Sequence, residues 1–274
     1  MADTLFPQLL LDRAVIRLSG ESVLPFLHNI ITADVVSLAA GQTAYGALLS
    51  PQGKIQHEMF VTNMGGSVAI DCVRSQRDDL LRKLTMYRLR AKLEMHPDDS
   101  LGVYFDPTGK QAADPRLAAL GERSLKPFDF QAAIGKNYDA LRMMYGIPDG
   151  ERDIGVNVHF PHEANLDLLN GLSFSKGCYV GQEVVSRMQH RGTARSRMLP
   201  VAFARPLPRE GSAITSGKAH IGTMLSTFGM KALALIRLDR LAEAQAPLLS
   251  EGVKIQVQVP AWMTIDIVIP EAAL

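Results

Sequence analysis

An α+β body followed by a small all-β module is the fold that this 274-residue sequence predicts. Three observations predict it. Helical and strand periodicities interleave over residues 9–145, short alternating segments take over near Arg195, and Gly and Pro punctuate both parts. The chain therefore divides into 1–194 and 195–274, which suits a length of about 100–200 residues per domain.

Residues 9–18 read as a buried strand ended by Ser19-Gly20. A short helix over 21–32 follows, with Val23, Leu24, Leu27, Ile30 and Ile31 as its apolar stripe and Pro25 in the tolerant first turn. Strands at 44–50, 55–62 and 67–73 form a meander broken by Pro51-Gln-Gly53 and Gly65-Gly66. Ser75-Gln-Arg-Asp78 matches a capping box, which predicts a helix ending near Arg90. Strands at 92–96 and 101–105 precede a weakly patterned stretch at 106–126. A helix over 129–145 follows, with Phe130, Ile134, Leu141 and Tyr145 on one side and Gly146 as its stop. In the second part, 221–227, 232–237, 253–259 and 264–269 read as strands.

The composition is that of a soluble globular protein, with 47% hydrophobic and 21% charged residues. A net charge of +1 argues against wrapping nucleic acid through global charge. No apolar run reaches the roughly 18 residues of a membrane span. The start, Met1-Ala-Asp-Thr-Leu-Phe-Pro7, lacks a basic region before its apolar residues, so no signal peptide is expected. Cys72 and Cys178 are the only cysteines, too few for a disulfide scaffold or an unaided four-cysteine cluster. A reducing cytoplasm is the expected location.

Phosphate-loop, dinucleotide and nucleophile-elbow motifs are all missing. His57-Glu58 begins like H-E-x-x-H, but position 61 is Val; His159, His162 and Glu163 lack further donors nearby, so no metal site is expected. The informative stretch is Lys176-Gly-Cys-Tyr-Val-Gly-Gln-Glu183, which runs on through Arg187, His190, Arg191, Arg195 and Arg197. Cys178 precedes a short helix starting near Gly181. Beside Lys176, its thiolate would be stabilised there; the alternative is a small buried hydrophobe. Cys72, between Ile70 and Val73 on a core strand, reads as the latter. The four arginines could grip a carboxylate or phosphate tail, or simply line a solvated turn. Glu163, ahead of Leu168-Leu169, reads as a first-turn acid or as an acceptor for the two side-by-side donors of a pterin.

Lys176-Gly-Cys-Tyr-Val-Gly-Gln-Glu183 resembles the K-G-C-Y-x-G-Q-E motif of the YgfZ family of folate-binding proteins, relatives of the glycine-cleavage T-protein. Pro161-His-Glu-Ala-Asn165, the opening Leu18-Ser-Gly-Glu21 segment, the Ser50-Pro-Gln-Gly-Lys54 turn and the stretch 211–237 extend the resemblance over nearly the whole chain. It implies ferredoxin-like layers around a central folate site with a C-terminal β-barrel. It also implies tetrahydrofolate or another reduced folate as cofactor, and a role in assembling or repairing iron–sulfur enzymes, including those that thiolate tRNA. Carried over by motif, Cys178 and Lys176 would be the reactive pair. Glu163, Asn165, Tyr179, Gln182, Glu183, Arg187 and Arg191 would bind the folate.

One departure is visible. His57 and Glu58 stand where the aminomethyltransferases carry paired aspartates. A carboxylate displaced by about an ångström costs on the order of 100-fold in a positioned reaction. The leading expectation is therefore an accessory protein for iron–sulfur enzymes, with folate and client or assembly proteins as partners. A folate-dependent one-carbon transferase is the second reading, and an RNA-docking module working through residues 187–197 is the third.

Overall fold

Period-two alternation decides which way each strand of the first part faces. The computed structural model describes residues 6–192 and 194–273, the Arg191 side chain excepted, so the first five residues of the start read above lie outside it. The first layer is a five-stranded antiparallel sheet of β2 (Arg13–Ser19), β3 (Thr43–Leu49), β4 (Ile55–Asn63), β5 (Val68–Val73) and β6 (Glu94–Pro97), in the order β3-β4-β5-β2-β6. Ile16, Leu18, Met59, Val61, Ile70 and Cys72 lie on one face under α1 (Val23–Ile30) and α2 (Arg77–Arg88), and form a core with Leu27, Leu80 and Leu84. Alternation therefore turns Glu58 and Phe60 to the opposite face, while His57 reaches Asp79 of α2 at 2.9 Å.

That opposite face meets a three-stranded sheet, β1 (Gln8–Leu9), β7 (Leu101–Asp106) and β8 (Glu122–Pro127), and the helix α3 (Asn137–Tyr145). The run 9–18 is thus two strands rather than one. The chain turns at Leu11-Asp12, so that β1 pairs with β7 while β2 joins the first sheet. Asp12 and Arg13, which interrupt the apolar residues at that point, mark the pivot.

After the loop segment 155–181 and α4 (Gln182–Arg191), the chain closes a six-stranded barrel. Its strands are β9 (Ser196–Phe203), β10 (Ala213–Ser216), β11 (Ala219–Phe228), β12 (Lys231–Arg237), β13 (Leu248–Ser250) and β14 (Val253–Val257), and α5 (Leu238–Ala242) follows β12. Leu199, Val201, Ile214, Ile221, Met224, Ile236 and Ile255 fill the barrel.

Four local expectations are corrected. The helix begins at Asn137, not Asp129; Phe130 and Ile134 are 92% and 59% exposed, and the stretch before the helix, with Gly135, is irregular. The weakly patterned stretch holds β8, whose Arg123 interrupts the alternation because it faces a buried carboxylate. Ser75 caps nothing: its hydroxyl donates to Glu151 at 2.6 Å, and Gln76 occupies the helix start. Residues 264–269 form no strand; Ile265, Ile267 and Ile269 pack against the barrel as an irregular strap.

Body and barrel are joined by polar clamps. Arg142 of α3 is fully buried; it bonds Asp153 at 2.9 Å, Asp139 at 2.9 Å and the Ser226 hydroxyl of β11 at 3.1 Å. Asp153 also accepts from the Ser226 backbone N–H at 2.9 Å. Trp262 donates to the Tyr145 carbonyl at 2.7 Å. Replacing Arg142 by Met leaves Asp153 buried without its cation, and urea unfolding should register a loss of about 3–5 kcal/mol.

A second prediction concerns acid. Burial works to raise the Asp149 carboxyl, but Arg142, Arg152 and the Arg152 backbone N–H together hold it down at about 2. A carboxyl depressed on folding stabilises above its unfolded value near 4, and that contribution disappears as pH falls toward 2. The contribution is about 2 kcal/mol. Urea midpoints measured from pH 5 to pH 2 should fall less steeply in Asp149→Asn than in the native chain.

Candidate functional site

The stretch 171–181 leaves the body as an irregular loop, and it is stitched to the end of α1. The Thr32 hydroxyl donates to the Gly171 carbonyl at 2.6 Å, and the Ser173 N–H donates to the Thr32 carbonyl at 3.0 Å. The Lys176 ammonium donates to the carbonyls of Ile31 at 2.7 Å and Ala33 at 2.9 Å, and to that of His28. It also stands 5.1 Å from the centre of the Tyr179 ring. Burial pulls Lys176 down to about 8, with Asp34 opposing, so the group is still an ammonium at neutral pH.

The far end of the loop is fixed by glycine. Gly181 adopts φ +80°, and a Cβ there would sit 2.6 Å from the Ser50 carbonyl oxygen. Gly53, also at φ +80°, presses against Val184 of α4, where a Cβ would lie 2.8 Å from the Val184 Cβ. The turn Ser50–Gly53 and the start of α4 therefore touch backbone to backbone, as only glycine permits.

Between these fixed ends Cys178 is exposed, whereas Cys72 is buried in the first core. Burial pushes the Cys72 thiol up to about 12. Of the two readings left open for Cys178, the buried hydrophobe is excluded. The ammonium of Lys176 is not a free neighbour for the thiol, because three carbonyls already take its protons.

Lys176, Cys178, Tyr179 and Gln182 thus share one loop and helix start, and Tyr179, buried beside the ammonium, is pushed up to about 12 by that burial. The other predicted residues serve elsewhere. Glu183 is exposed and accepts from Arg187 at 2.5 Å, one turn along α4. Arg191 closes α4, with its side chain outside the described set. Arg197 is buried, paired with Asp167 at 2.5 and 2.8 Å, and donates to the His162 carbonyl at 2.7 Å. The arginine stretch is therefore not one basic surface.

Glu163 accepts the Phe160 N–H at 2.9 Å and lies 3.7 Å from His159. Burial raises its carboxyl, but His159, that N–H and Lys54 more than offset the effect, so it lies below its usual range. Asn165 adopts φ +60° and donates to the Met198 carbonyl at 2.7 Å, which ties the turn to the barrel. The Asn165 Oδ1 is buried without a partner.

The space between the two sheets holds an ionic lattice that no sequence pattern announced. Arg13 donates to Asp71 at 2.6 Å and pairs with Glu58; Arg123 donates to the same Asp71 at 2.7 Å. Arg123 lies 4.0 Å and Arg116 4.8 Å over the Phe60 ring, and Arg116 bonds Asp114 at 2.8 Å and the Tyr138 hydroxyl at 2.8 Å. A cavity of about 220 Å³ remains beside Thr43, Thr62, Asp71 and Arg123. None of the residues expected to bind folate lines it. Glu163 is already engaged by its own turn, and Glu58 by Arg13. Glu163 uses one carboxylate oxygen in its own turn, and the buried Asn165 Oδ1 has no partner, so both residues retain acceptor capacity. Among the described residues, no group of three or more His, Cys, Asp or Glu side chains is placed to hold a metal ion. Among the described residues, no helix is long and apolar enough to cross a membrane.

With this geometry in hand, comparison with known proteins is informative. Residues 195–265 match the family described as CAF17, C-terminal beta-barrel domain. The chain is similar to aminomethyltransferase T of the glycine cleavage system from Bartonella henselae, with a TM-score of 0.75 and 14% identity over 94% of this chain and 87% of that one. At that identity the likeness establishes the fold, T-protein-like with a C-terminal barrel. Human mitochondrial iron–sulfur cluster assembly factor IBA57 is 28% identical over 91% of this chain and 83% of its own length. The IBA57 homolog of Coccidioides immitis (strain RS) is 30% identical over 85% of this chain and 72% of its own. The chain belongs to the IBA57-type family of iron–sulfur cluster assembly factors. The expectation of a cytoplasmic location is corrected by these relatives, which are named mitochondrial.

The two thiols should separate cleanly under a thiol-specific chromogenic reagent. One equivalent per chain, assigned to Cys178 by mass mapping, should react quickly in the native protein. Cys72 should react only after denaturant is added.

Proposed function

We propose that this chain assists the assembly or repair of iron–sulfur enzymes by presenting the Cys178 thiol to the iron–sulfur species of a partner protein. The observation that carries the reading is the contrast between the two cysteines: Cys72 is sealed under α1 and α2, while Cys178 stands exposed on a loop anchored at both ends. A thiolate is both the nucleophile and the metal ligand of cysteine chemistry. In this role Cys178 releases its proton and donates a sulfur lone pair to iron, and the partner supplies the remaining donors. A single exposed cysteine suits such shared, transient contact and not the permanent carriage of a cluster. The clients are iron–sulfur enzymes, those that thiolate tRNA among them.

This reading does not depend on reduced folate; tetrahydrofolate binding is a separate proposal, with Glu163 and Asn165 as its acceptors. One-carbon transfer is the second reading, and Glu58, paired with Arg13, is not free to position a substrate for it. RNA docking is disfavoured by the burial of Arg197 and the pairing of Arg187.

Complementation of a deletion strain tests the proposal. Cys178→Ala should lower the activity of a client iron–sulfur enzyme at least about tenfold relative to the native chain, at equal protein level. Cys72→Ala should retain rescue. Full rescue by Cys178→Ala would remove the thiol from the mechanism.

A further inference from the structure

The segment from Phe174 to Cys178 has one inward-facing member. Phe174, Ser175, Gly177 and Cys178 are exposed, and only Lys176 is buried. Its ammonium reaches the end of α1, where the last carbonyls of a helix have no partner within the helix. An ammonium has three N–H donors, and three carbonyls receive them. A cation at a helix C-terminus is also favoured by the helix dipole, and the Tyr179 ring covers the remaining side. Asp34 and His28 are the other titratable groups of this corner, and they lie 3.3 Å from each other.

We infer that Lys176 is a positioning residue, a latch that fixes the Cys178 loop to α1 and so holds the exposed thiol at a set place on the surface. The inference rests on the reading of Cys178 given above, and it assigns Lys176 a role different from that of a thiol activator. Upstream, the stitches at Gly171 and Ser173 stop short of the exposed segment; downstream, fixation resumes at Tyr179 and Gly181. Without the latch, the residues from Phe174 to Cys178 would keep only the Lys176 N–H bond to the Ser173 hydroxyl at 3.3 Å and the half-exposed Phe174 ring, 6.4 Å from that of His162. The thiol would remain present and exposed but would sample many positions, and contact with a partner's cluster would suffer through lost orientation.

The test uses the full chain with a nitroxide label on Cys178, which is selective because Cys72 is buried. In Lys176→Met, which keeps the volume and removes the ammonium, the spectrum should narrow and backbone exchange over 174–178 should rise at least about tenfold. Exchange in the five-stranded sheet should stay native, and client activation should fall most of the way to the Cys178→Ala level. An unchanged spectrum, or exchange rising equally throughout the sheet, would overturn the latch. If Lys176→Met does not fold, the native chain still decides: nitrogen-15 NMR should detect the Lys176 ammonium protons as slowly exchanging, unlike those of surface lysines. Loss of that signal to solvent exchange would overturn the inference. The label and NMR readouts need no client, so failure of the latch is distinguishable from failure of the thiol's proposed role.

Discussion

Buried guanidinium groups, each clamped by carboxylates from other elements, decide how the layers of this chain meet. Arg13 of β2 holds Glu58 of β4 and Asp71 of β5; Asp71 in turn holds Arg123 across the gap, in the second sheet. Arg142 performs the same office between α3, the Asp149–Asp153 turn and the barrel. Such pairs give little net stability, because desolvation consumes most of the Coulombic gain. Their effect is on alternatives: any shift between the layers would strand a charge away from water. Two sheets and a barrel with interchangeable apolar faces thereby acquire one arrangement.

This division of labour explains what could be read in the sequence. The meander β3–β5 was legible because Pro51-Gln-Gly53 and Gly65-Gly66 separate its strands, and Ile55–Asn63 keeps a helix-facing and a sheet-facing side. Strand β8 was not, since Arg123 stands at an inward position where a period-two reading wants an apolar residue. Phe130 and Ile134 misled in the opposite sense: they sit at helical spacing but remain in solvent, because the chain there does not pack against the sheets. Periodicity reports burial only when apolar side chains provide it.

The site was legible to a similar depth. Its glycines and its exposed cysteine are written into Lys176-Gly-Cys-Tyr-Val-Gly-Gln-Glu183, and Gly181 does what its place before a helix suggests. The partners of Lys176 left no mark, because they are backbone carbonyls at residues 28, 31 and 33, and a carbonyl has no residue type. Nearness in sequence made the lysine look like a neighbour of the thiol. In space its cation belongs to α1. The same holds for Glu163, one oxygen of which accepts from the backbone of its own turn.

Likeness of fold to an aminomethyltransferase therefore carries less than it first suggests, since function resides in sites and not in folds. The inward position on β4 that would face a substrate between the sheets is Glu58, and Glu58 cannot be released alone. Freeing it leaves Arg13 half-paired, with Asp71 already shared with Arg123. Each buried pair broken on one side costs about 3–5 kcal/mol, more than a weakly bound ligand returns. An interior locked in this way works as scaffold, and reactive chemistry is displaced to where a side chain can act without disturbing it. On the proposal made for Cys178, that place is the surface loop, where the one exposed thiol is held by contacts that leave its sulfur free.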